Sequence, residues 1–163
     1  MKKIVILLLL FLSFSASSQI NVQEQQMWCW ASCIQSALWQ ANVQQAQAQI
    51  VSRLAGWPQN RPANLQEITY LLQTYNFRAW IVPYPATYQQ LYDTLLSGWK
   101  LIAFVNPTGN PQIGHFILLQ RITDTGLIIV SDPATGMTYE QGIEQLYYAW
   151  NWGGSVVVGA PQY

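Results

Sequence analysis

The hydrophobic period of the chain changes once, near Gly98, and that change predicts the architecture. Before Gly98, apolar residues recur at helical steps. Ala31, Ile34, Leu38 and Ala41 mark one face of a helix over 28–42. A Gln- and Ala-rich stretch, 43–54, predicts a second helix, ended by Gly56-Trp57-Pro58. Asn64 followed by Glu67 has the form of a capping box and opens a helix running to about Tyr75. The run 77–82 reads as a strand, and Thr87 caps a helix over 88–97 that Gly98 closes. After Gly98 the runs 100–105, 115–122, 127–131 and 155–159 are strand-like. The second and third form a hairpin across Thr123-Asp124-Thr125-Gly126, the turn Asp132 to Gly136 follows, and one short helix, 141–150, precedes the last strand. Helices first and strands later, in one core-sized unit, predict an α+β fold.

Composition narrows the setting. Half of the 163 residues are apolar, enough for one sizeable core, and no repeat or linker divides the chain. Net charge is zero and only 9% of residues are charged, which excludes a nucleic-acid partner held through phosphates. Lys2-Lys3, the apolar run 4–12 and the small residues Ser13, Ser15, Ala16, Ser17 and Ser18 have the three-part layout of a secretory signal peptide. The run is short for a membrane span, and no cysteine follows it closely enough for lipid attachment. The expectation is a signal peptide over 1–18 and a mature domain over 19–163. That domain would be secreted or periplasmic, with no membrane association after processing.

Two cysteines, Cys29 and Cys33, give the candidate chemistry. Cys29 falls where polar sequence turns helical, at a helix N-terminus whose free N–H groups and dipole favour a thiolate, the nucleophilic form. Cys33 lies one turn further in and is expected in the core. Export favours disulfides, but positions four apart on one helix close a tiny loop with awkward geometry, so both thiols are expected free. The chain has one histidine, His115, at the start of an apolar strand after Gly114. It is the only imidazole available as a base for a thiol. Asp132 ends the adjacent hairpin strand, where it orients that imidazole or simply starts a turn with Pro133. Asn151 is a second candidate for the orienting role, but a further turn and helix separate it from His115, so Asp132 is preferred.

These motifs resemble a family. Gln23 stands six positions before Cys29-Trp30-Ala31, as in the papain-like pattern. Gly114-His115-Phe116 followed by Val130-Ser131-Asp132-Pro133 resembles the peptidase C39-like branch, and Met27-Trp28-Cys29-Trp30-Ala31-Ser32 is similar to the AvrRpt2-type branch. The resemblance implies an N-terminal helical lobe packed on an antiparallel sheet and a cleft between them. Cys29 would be the nucleophile, His115 the general base and acid, and Asp132 the orienting residue. The Gln23 amide and the Cys29 N–H would form the oxyanion hole. No metal or cofactor is called for, and the partner is a peptide or protein substrate. Met27-Trp28 replaces the Gly-Ser lead of papain itself, and the stretch before Cys29 leaves no room for a folded inhibitory pro-segment. The same triad also fits a cell-wall amidase or an acyltransferase. A secreted peptide-binding module without catalysis is the reading from another class, with Trp28, Trp30, Trp150 and Trp152 as groove walls.

Overall fold

The computed structural model describes residues 19–110 and 112–162, so the signal-peptide reading of 1–18 lies outside the described residues. Three helices come first: α1 (Cys29–Gln40), α2 (Gln47–Ala55) and α3 (Leu65–Thr74). Then follow β1 (Phe77–Val82), α4 (Tyr88–Leu96), β2 (Lys100–Val105), β3 (His115–Ile122), β4 (Ile128–Asp132), β5 (Met137–Gln141), α5 (Ile143–Tyr148) and β6 (Ser155–Pro161). The strands form one antiparallel sheet in the order β1-β6-β2-β3-β4-β5. This is the α+β arrangement expected, a helical lobe on an antiparallel sheet.

Strand alternation decides which core each residue joins. Ile102, Phe116 and Leu118 pack beneath α1 to α3. Leu101, Ala103, Ile117 and Leu119 point the other way, into a second core under α4 and α5. Both faces of β2 and β3 are therefore covered, which is why these strands read as nearly unbroken apolar runs.

Helix α1 is buried on every side from Cys29 to Leu38, beyond the single apolar face its periodicity predicts. Its polar residues are paired rather than exposed. Ser32 Oγ donates to Asn21 O, and Gln35 Oε1 accepts from Asn21 Nδ2 and Gln47 Nε2. The same Gln47 donates to Val22 O and accepts from Glu24 N, so buried amides tie the extended strap before α1 to the helices. Asn42, at φ 62, ends α1. The residues after it stay outside any helix until α2 begins at Gln47, later than its composition predicts. The Asn64–Glu67 capping box forms as expected, Asn64 Oδ1 accepting from Glu67 N at 2.9 Å and Glu67 Oε2 from Asn64 N at 3.0 Å. Such a cap contributes about 1 kcal/mol. No helix of the described residues is long and apolar enough to cross a membrane.

Candidate active site

Cys29 is the first residue of α1, behind Trp28 at the N-cap. A helix start has no intrahelical acceptor for its first N–H groups, so the Cys29 N–H is available to a ligand. The indoles beside it hold the neighbouring loop in place: Trp28 Nε1 donates to Gln59 O and Trp30 Nε1 to Arg61 O, while Met27 N donates to Asn60 Oδ1. Cys29 retains 8% of its surface and Cys33 none. Both thiols are free. Cys33 Sγ lies 3.7 Å from Phe116 O, which places α1 directly across β3. Burial, then the charges of Cys29 and Asp132, push the Cys33 thiol well above its ordinary pKa.

Strands β3 and β4 are antiparallel, so His115 at the start of one and Asp132 at the end of the other meet at one edge. His115 Nε2 is 2.6 Å from Asp132 Oδ1. That contact leaves the other ring nitrogen, Nδ1, unused by Asp132, and Cys29 is close enough to act on the imidazole. Burial alone would lower the imidazole pKa. The bonds to Asp132 and Cys29 outweigh it and raise the value to about 9. For Asp132, burial pushes the pKa up, but the His115 bond and the Ala134 N–H, 2.9 Å from Oδ1, bring it below its ordinary value. The turn role and the pairing with histidine are thus both real, and they share one oxygen. Asn151 is exposed at φ 45, ahead of β6.

Cys29 and His115 line a cleft of about 460 Å³, floored by Phe104 and Phe116 and walled by Met27 and Ile113. Among the described residues, His115 is its only ionisable lining residue besides Cys29. Phe104 and Phe116 meet edge to face at 5.3 Å. A Cβ at Gly114 would lie 2.1 Å from the Phe104 ring, so glycine before His115 lets that ring close the floor. Phe104 and the loop wall at Pro62 and Ala63 have no local sequence signal; the glycine beside the histidine is the one available hint. Gln23 is near the site but does not line the cleft, whereas Gln26 does. The Gln23 amide Nε2 donates to Gln25 O at 3.0 Å and Gln26 O at 2.6 Å, bracing the turn that leads into α1. Gln23 N donates to Pro133 O, joining this strap to the turn that carries Asp132.

A thiol at a helix start and an imidazole paired with a carboxylate thus lie together at one open cleft. The family model of the papain-like cysteine protease AvrRpt2 matches residues 13–150. The chain belongs to this papain-like cysteine protease family. It is a cysteine peptidase of the C39-like kind in fold. The peptidase domain of Streptococcus ComA, a bifunctional ABC transporter of a quorum-sensing pathway, is similar at TM-score 0.69 and 14% identity, over 89% of this chain and 99% of that one. A C39-like peptidase from Bacillus anthracis gives 0.66 at 12% identity, over 89% and 99%. A double-glycine-motif protease of an AMS/PCAT transporter, solved with its leader peptide, gives 0.63 at 17% identity, over 86% and 91%. At such identities the likeness is one of fold. No curated protein is similar enough in sequence to match the chain.

Proposed function

We propose that this papain-like peptidase is a secreted or periplasmic enzyme, mature over 19–163, that cleaves a peptide or protein substrate through Cys29, His115 and Asp132. The observation that carries the reading is the 2.6 Å contact of His115 Nε2 with Asp132, which leaves Nδ1 for Cys29 across the shared cleft. The Cys29 sulfur attacks the scissile carbonyl carbon, and the oxyanion takes the Cys29 N–H and an amide donor from the Gln23 strap. Protonated Nδ1 then gives its proton to the leaving amine as the C–N bond breaks. Water, deprotonated by the same nitrogen, attacks the thioester and releases the acid and the thiol. Asp132 holds the ring and stabilises its charged form. The basic, apolar and small-residue order of 1–18 is what supports export.

The test is incubation of the mature protein with a diverse peptide library under reducing conditions, followed by sequencing of the product ends. Cleavage that iodoacetamide abolishes is expected. Cleavage insensitive to the reagent, or binding without turnover, would overturn the reading.

The oxyanion donor has its own test. Gln23→Ala should lower kcat by about 10²–10³-fold with little change in KM, the scale for one oxyanion-hole donor. In the resting arrangement both Gln23 amide hydrogens bond backbone carbonyls, so donation to the oxyanion requires one of those bonds to give way. Gln25→Ala and Gln26→Ala should cost little. A large loss in Gln26→Ala beside a near-normal Gln23→Ala would move the role to Gln26, which lines the cleft.

A further inference from the structure

Tyr139 lies on β5, and its hydroxyl is buried with no hydrogen-bond partner among the described residues. Leaving a buried hydroxyl unpaired costs about 1–3 kcal/mol. If packing were its whole role, phenylalanine would serve better. The strand register identifies what the side chain faces. Tyr139 stands opposite Val130, and Asp132 stands opposite Met137. Asp132 is two residues beyond Val130, so it shares a face of the sheet with Tyr139 and lies diagonal to it, within reach of an aromatic side chain. Burial and then the charge of Asp132 raise the Tyr139 pKa to about 12, so the hydroxyl keeps its proton at neutral pH. On the carboxylate, Oδ1 already accepts from His115 Nε2 and Ala134 N. The Trp150 ring, 6.5 Å from Tyr139 between centroids, flanks the phenol.

We propose that Tyr139 is a positioning residue whose buried hydroxyl donates toward Oδ2 of Asp132 through one trapped water, fixing the plane in which the carboxylate meets His115. Buried waters bind polar groups that protein partners leave unsatisfied, as the Tyr139 hydroxyl is left here. The inference rests on the reading of Asp132 as the partner of His115 in catalysis. The titratable groups around Asp132 are His115 from β3, Cys33 from α1 and Tyr139 itself from β5, with Cys29 next in line beyond His115.

His115 is the only histidine, so its NMR titration needs no assignment. Tyr139→Phe in the mature protein should lower the His115 pKa by about one unit, since a carboxylate free to rotate stabilises the imidazolium less. Alkylation of Cys29 by iodoacetamide at pH 7 should slow several-fold, with the melting temperature little changed. An unchanged His115 pKa with an equal or higher melting temperature would overturn the proposal, because removing an unpaired hydroxyl is neutral or stabilising. Asp132→Ala separates the two readings. If it too leaves the His115 pKa and activity unchanged, the role of Asp132 itself fails. If it alone lowers both, only the assignment of Tyr139 fails.

Discussion

Cys29→Ala is expected to remove turnover, by roughly 10⁵–10⁶-fold on the scale for a lost nucleophile, while the protein stays folded. Cys33→Ala should keep turnover within a few-fold. The two thiols are one helical turn apart, yet only the first opens onto the cleft. Cys29 opens α1 and lines the cleft beside His115. Cys33 is fully buried under β3, and burial together with its charged neighbours holds its proton on. Iodoacetamide should therefore label Cys29 in the folded, reduced protein and leave Cys33 unmodified until denaturant is added. Peptide mapping of the labelled chain reads this directly. Equal labelling, or turnover that survives in Cys29→Ala, would remove Cys29 from the nucleophile's role.

Parts of this arrangement are legible in the sequence because local chemistry dictates them. Strands β2 and β3 have the predicted bounds, since a covered strand must be apolar at successive positions. The start of α3 is written in the Asn64–Glu67 pair, which satisfies its own end groups. Other parts depend on contacts between distant segments and leave no local mark. Strand β5 lies at the sheet edge with Met137, Thr138 and Glu140 exposed, so it lacks the apolar alternation that marks a strand. Nothing in the local pattern marks it, or Tyr139 upon it. The all-round burial of α1 was equally hidden, because Ser32, Gln35 and Ser36 look like a solvent face. The partners of Ser32 and Gln35, namely Asn21, Gln45 and Gln47, come from the strap and from the segment ahead of α2 and its first turn, while Ser36 accepts from Gln40 one turn along α1. At the site, Cys29, His115 and Asp132 could be singled out because few residues in the chain carry such chemistry. The floor of the cleft could not, because Phe104 reads as one more core residue of β2.

The residue that orients His115 is the other large effect. Asp132→Ala should lower kcat by up to roughly 10⁴-fold, the scale for losing the carboxylate of a catalytic triad. Asn151→Ala should leave kcat near normal. Its cost falls on the backbone, since Asn151 sits at φ 45, a conformation asparagine adopts more readily than alanine. The pH profile distinguishes orientation from a general structural loss. In the wild type, burial works against the imidazolium, and the bonds to Asp132 and Cys29 together bring the His115 pKa to about 9. The folded-state value is raised, so the protonated ring and the stability it contributes are fully present below about 6.5 and are lost as pH rises through about 9. Proton donation to the leaving amine should follow the same limb, with kcat/KM falling above pH 9. In Asp132→Ala, burial is opposed by Cys29 alone, so that limb must move toward lower pH. In Asn151→Ala it should stay in place. A basic limb that shifts in Asn151→Ala but not in Asp132→Ala, with the activity loss following it, would give the orienting role to Asn151.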